Sequence, residues 1–141
     1  MNDTIQTVKE LLSQSVVGEI MIHSDTKLHH YGSFNTQKDA LDKPIWVSDE
    51  HAVSQAYENF GVKAAYYTTT NTNADLKLAN LEGVSLVNMC MKVGVSSHAK
   101  WNLVLAGALE QLGYDGLIYS NREILVCKPC NSFNNVVSTS L

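Results

Sequence analysis

Residues 114–127, YDGLIYS–NRE–ILVC, are two apolar runs with only a short Asn-containing turn between them. No other stretch constrains the fold as much. Runs this close together pair as an antiparallel hairpin, because a parallel return needs a crossover of a dozen or more residues. The hairpin follows the clearest helical pattern in the chain, SHAKWNLVLAGALEQLG (97–113), which Gly113 stops. Upstream, Ile5, Val8, Leu11 and Leu12 recur at helical spacing behind Asp3 or Thr4 as a cap, which predicts a helix over about 3–15. GEIMIHS (18–24), TKLHHYGS (26–33), IWVS (45–48) and VKAAYYTTT (62–70) read as strands, with NTQKDALDK (35–43) as a loop. SDEHAVSQAYENFG (48–61) reads as a helix with Ser48 as N-cap and Asp49 and Glu50 in its first turn. NTNADLKLANLEG (71–83) reads as a short strand or turn leading to a helix at VSLVNMCMKVG (84–94), and NSFNNVVSTSL (131–141) as a loose tail. This order predicts one α+β domain over 1–141, with mostly antiparallel strands flanked by helices and a tail over 130–141.

Composition narrows the function. The 141 residues are 45% hydrophobic and 17% charged, a globular balance. The formal charge is -4, with the ten basic residues scattered, so there is no field to draw in a phosphate backbone. A protein is therefore favoured over nucleic acid as a macromolecular partner. The N-terminus lacks the basic and apolar regions of a secretory signal, and no window reaches the roughly 18 apolar residues of a membrane span. Three cysteines, an odd count, fit a reducing compartment. The expectation is a cytoplasmic protein, in a bacterium or in a host cell.

Cys127 and Cys130 form a C-x-x-C, but one pair does not make a zinc site, and Cys90 and the histidines stand at no matching spacing. Pro129 and the Asn-rich segment after it disfavour the following helix that would activate a redox thiolate. The pair is expected to be packing, and no metal is expected. His29 and His30 are neighbours on a strand, so only one of them faces a given side. Singly, His30, Tyr57 and Glu123 are uninformative: a structural histidine, a core aromatic and a turn acid. Their order along the chain is what carries information.

KLHHYGS resembles the first motif of the His-Tyr-Glu branch of ADP-ribosyltransferases, the diphtheria-toxin and poly(ADP-ribose) polymerase group. PIWVSDEHAVSQAYENFG is similar to the second motif, with Ser54 and Tyr57 as its Ser-x-x-Tyr. GYDGLIYSNREILVCKP resembles the third, in which a Glu opens an apolar strand. The resemblance spans residues 27–129, and "HHYGS" departs from it by placing Tyr31 between His30 and Gly32. It implies a split-sheet ADP-ribosyltransferase-like fold with NAD as co-substrate. His30 matches the histidine on the adenine-side ribose, Tyr57 the ring stacked on nicotinamide, and Glu123 the catalytic acid. The implied cofactor-binding set is His30, Tyr31, Gly32, Ser33, Ser48, Ser54 and Tyr57.

The chemistry suits these residue types. Cleaving the nicotinamide–ribose bond develops positive charge on the sugar, as in glycoside cleavage, and a nearby carboxylate stabilises it. An aromatic face holds the flat nicotinamide. Members that modify arginine usually carry a second acid two residues before the catalytic one. Asn121 stands there, which disfavours arginine as acceptor, and the short chain favours mono-ADP-ribosylation. The expected role is a toxin, effector or phage-encoded modifier. Two other readings are a catalytically silent NAD or ADP-ribose-binding module that sequesters a partner, and an RNA 2′-phosphotransferase. The second of these would want basic residues in the first two motifs that are not there. The Thr- and Asn-rich stretch 68–83 is expected to carry a target-facing loop.

Overall fold

Val8 and Leu12 lie one helical turn apart and are both fully buried, which fixes the inner face of the first helix, α1 (Asn2–Ser15). The computed structural model describes residues 2–31, 43–50, 66–119 and 122–140. Within them α1 is followed by β1 (Gly18–Ile22), β2 (Lys27–Tyr31), β3 (Ile45–Ser48), β4 (Tyr66–Thr72) and β5 (Leu76–Asn80). Then come α2 (Leu86–Val93), α3 (His98–Gln111), β6 (Gly116–Tyr119), β7 (Glu123–Val126), the single turn α4 (Pro129–Ser132) and β8 (Phe133–Ser140). The expected helix over 48–61, beyond Glu50, and the loop over 35–42 lie outside the described residues.

The eight strands form one sheet in the order β1-β5-β6-β7-β3-β2-β4-β8. Every neighbouring pair is antiparallel except β5 and β6, which α2 and α3 connect by a crossover. The fold is α+β, as expected. The two halves of the sheet are one continuous ladder rather than separate sheets, and they join at β2–β3 through the single pair His29↔Ser48.

Both faces of the central strands are covered, so GLIY and EILV are nearly continuous apolar runs. On one face Ala79, Leu117 and Leu125 meet Val8 and Leu12 of α1, Leu86 and Met89 of α2, and Trp101, Leu105 and Leu109 of α3. On the other, Ile22, Leu28, Leu76, Leu78, Ile118, Ile124 and Phe133 form a second cluster. Ile22 belongs to one edge strand and Phe133 to the other, so the sheet curls around this cluster. Each fully buried leucine contributes about 1.5–3 kcal/mol by leaving water. Capping sets the helix ends. Ser85 and Ser97 accept from Asn88 N (3.1 Å) and Lys100 N (3.4 Å), and Gly94 closes α2 in the left-handed region at φ 74.

Three local expectations are corrected. Residues 133–140 are not a loose tail but β8, which pairs with β4 from Tyr66↔Ser140 to Thr72↔Phe133. The signal was masked by Asn134 and Asn135, poor strand formers that here absorb a register shift, with Asn135 at φ 51. Stretch 68–83, expected to carry a loop, is mostly strand, being the end of β4, a short turn and β5, with Asn71 paired to Lys27. A helical turn does follow the C-x-x-C proline, because proline suits the first position of a helix. Among the described residues no helix is long and apolar enough to cross a membrane.

Gly116 stands where a Cβ would lie 2.1 Å from the Leu125 carbonyl oxygen across the hairpin, a backbone atom that cannot swing away. Gly116→Ala is expected to lower unfolding free energy by about 1–3 kcal/mol in urea denaturation. Unchanged stability would show that the β6–β7 hairpin is looser than its register implies.

Candidate active site

β3 lies between β2 and β7, and Ser48 at its end is paired on both sides, with His29 and with Glu123. Glu123 is paired in turn with Tyr119 across the hairpin. Directly opposed residues of antiparallel strands point to the same face. His29, Ser48, Glu123 and Tyr119 therefore form one row across four strands, on the face that also carries the three long helices. Trp46, two residues before Ser48, shares this face and ties it to α3: its indole N–H donates to Asn102 Oδ1 at 3.1 Å.

Ser48 is fully buried and satisfied. Its hydroxyl donates to the Arg122 carbonyl (2.9 Å) and accepts from the Glu50 amide (3.0 Å). Arg122 adopts a left-handed φ of 63, as the last residue of a short hairpin loop often does. Its guanidinium clasps the Asp49 carboxylate, with Nε donating to both oxygens at 2.8 and 3.0 Å. This charge-assisted fork pins the β6–β7 turn to the end of β3 and so fixes the start of β7, where Glu123 stands.

Tyr119 closes the far end of the row. Its ring meets Trp46 edge-on, with centroids 5.7 Å apart at 64°. Burial pushes its phenol up to about 12, helped by the Glu123 carboxylate opposite. At the near end, His29 Nδ1 is hydrogen-bonded to the Tyr67 hydroxyl and the two rings stack at 5.9 Å. Tyr31 leans on Tyr67 at 4.9 Å. Half-buried aromatic groups thus flank the row beside β2 and β4.

The expected residues divide accordingly. Glu123, Ser48 and Tyr31 lie on this face. His30, the histidine matched by resemblance, points to the other face, opposite the buried Thr68, and its Nδ1 donates to the Trp46 carbonyl at 2.7 Å. Burial lowers its pKa below the usual imidazole value, with the carbonyl bond opposing. His29 is the histidine beside Ser48. Gly32, Ser33, Ser54 and Tyr57 lie outside the described residues. Tyr119 and Tyr67 were missed in the sequence. A hairpin register that opposes Tyr119 to Glu123 would have pointed to the first, whereas nothing local marks Tyr67.

Among the described residues no group of three His, Cys, Asp or Glu side chains is placed to hold a metal ion. Cys127 is buried, and its thiol is oriented to the Ala106 carbonyl at 3.7 Å. Burial above all pushes its pKa from 9.0 up to about 12, with Glu110 and Asp115 adding to the shift. Such a thiol is a poor nucleophile. Iodoacetamide at pH 8 is expected to modify the half-buried Cys130 well before Cys127, which reacts only in denaturant. The sign of the linkage is also fixed: the neutral buried thiol supports folding fully below pH 9, and that support is lost as pH rises towards 12. Peptide mapping that finds Cys127 alkylated first would contradict this placement.

No protein-family model and no curated protein matches the chain. Among solved structures it is similar to a chain of the crystal structure of the M. tuberculosis MbcT–MbcA toxin–antitoxin complex. The match covers 97% of this chain and 92% of that one, at 12% identity and a TM-score of 0.42. A likeness at this level carries no argument about activity.

Proposed function

We propose that this chain is an enzyme that consumes NAD, releasing nicotinamide and transferring a single ADP-ribose to a macromolecular acceptor, a protein rather than nucleic acid. The supporting observation is the register that sets a histidine, a serine and an acid side by side on β2, β3 and β7. These are the strands that bear the first, second and third motifs. The side chains around the row also suit the ligand: an imidazole for ribose, half-buried aromatic rings for flat bases, and one carboxylate for developing positive charge.

On this reading NAD supplies a ribose whose bond to nicotinamide is already activated by the positive charge of the pyridinium. The nicotinamide departs with the bonding electrons, the acceptor nucleophile bonds to the ribose carbon, and the acceptor gives up a proton. Glu123, at the strand mouth, stabilises the charge left on the sugar and orients its hydroxyl. His29, held by Tyr67, fixes the adenine-side ribose in the role first assigned to His30. Tyr31, Gly32, Ser33, Ser54 and Tyr57 complete the binding set that the resemblance implies, with Tyr57 over the nicotinamide, whereas Ser48, expected in that set, is buried and bonded to backbone and holds the strands together instead. The cellular role we assign is that of a toxin, effector or phage-encoded modifier acting in cytoplasm.

Incubation with labelled NAD and a lysate tests the reaction, with nicotinamide release and a labelled macromolecule as readouts. Glu123→Gln is expected to lower turnover by about 100-fold or more, the usual cost of losing one placed electrostatic group. His29→Ala is expected to raise KM for NAD about 10-fold, a lost hydrogen bond or slightly more. His30→Ala is expected to act through thermal stability instead. Binding of NAD without nicotinamide release would favour the sequestering module. Near-normal turnover in folded Glu123→Gln would remove the acid from the mechanism.

A further inference from the structure

We infer that Tyr119 is a positioning residue for Glu123, setting its carboxylate by a phenolic hydrogen bond while Trp46 and Asn102 hold the phenol ring in place; as a catalytic statement this rests on the reaction proposed above. The hairpin opposes Tyr119 to Glu123 directly, which brings their Cβ atoms to within about 4.5–5.5 Å on one face. Both side chains point to that face, and the Glu123 carboxylate helps to raise the Tyr119 phenol. The ring cannot turn freely, because Trp46 meets it edge-on at 5.7 Å. Trp46 is itself anchored by its N–H to Asn102 on α3, the helix that packs on this face. A chain of contacts therefore runs from the helical layer to Tyr119, the residue opposite the acid.

The direction of the bond is fixed by chemistry. An ionised carboxylate only accepts, so the phenol donates. With its pKa up at about 12, Tyr119 keeps its proton throughout the working range and remains a donor. One bond occupies one of about four lone-pair positions on the carboxylate, so capacity remains for a ribose hydroxyl. A carboxylate held by one fixed donor loses less freedom when substrate arrives, and that gain belongs to turnover rather than binding. The residue is not on the sequence pattern that marks Glu123. Only the register of the hairpin brings it there.

Tyr119→Phe removes the hydroxyl and keeps the ring. Expected is a fall of about 10-fold in kcat for nicotinamide release with KM for NAD within about twofold, the pattern of an interaction that matters at the transition state. In a Glu123→Gln background the same change is expected to add no further loss, because the group it positions is gone. Equal losses in both backgrounds, or no loss in the parent, would overturn the inference. A second measurement needs no activity: NMR titration of tyrosine labelled at the phenolic carbon, assigned with Tyr119→Phe. Tyr119 should titrate at about 12 in the parent and distinctly lower in Glu123→Gln, where the neighbouring charge is removed. An unchanged titration overturns the coupling. If the parent releases no nicotinamide, or Glu123→Gln releases it normally, the proposed reaction fails, and the titration alone still decides whether Tyr119 holds Glu123.

Discussion

Ser48 is the point through which the two halves of the sheet are joined. It is the last residue of β3, it pairs with β2 through a single residue and with β7 at the start of that strand, and its hydroxyl is buried. A buried hydroxyl must be satisfied or it costs about 1–3 kcal/mol. Here both of its bonds go to backbone, one to the hairpin turn and one to the chain leaving β3. The same atom that meets this requirement therefore sets the spacing between His29 and Glu123. The Arg122–Asp49 fork repeats the constraint in charged form one residue along.

The sheet's two faces have different work. The face away from the long helices is filled by aliphatic side chains from both edges and by buried threonines whose hydroxyls bond across to β8, as Thr68 does to Ser138 and Thr70 to the Asn134 carbonyl. The opposite face begins as a conventional helix-on-sheet core and changes character beyond Trp46, where polar and aromatic groups replace leucines. His29 and His30 show how sharply the faces are separated, since one strand position decides which role an imidazole takes.

Much of this was legible in the sequence. The hairpin, the three long helices and β1 to β3 follow from periodicity and from Gly113 as a stop. The C-x-x-C was read as packing, and Cys127 is buried against α3. The failures have physical causes. β8 is composed of Asn, Ser and Thr with two valines, and it is a strand because β4 offers it hydrogen-bond partners, a non-local reason. The resemblance matches His30, but the face a strand residue takes is set by its partner strands, and the pairing puts His29 beside Ser48. Tyr119 lay in view as one more apolar strand residue, and its meaning came only from the residue opposite.

His29 and Glu123 stand on either side of Ser48 in one row although β4, β5 and the whole of α2 and α3 separate them in sequence. Contacts of that span are closed late, after the entropy of a long loop has been overcome. A nascent chain that has emerged only as far as α3 can pack α1 and α2 against it, yet it lacks β6, β7 and the acid altogether. The row of His29, Ser48, Glu123 and Tyr119 thus takes shape only once β7 has docked on β3.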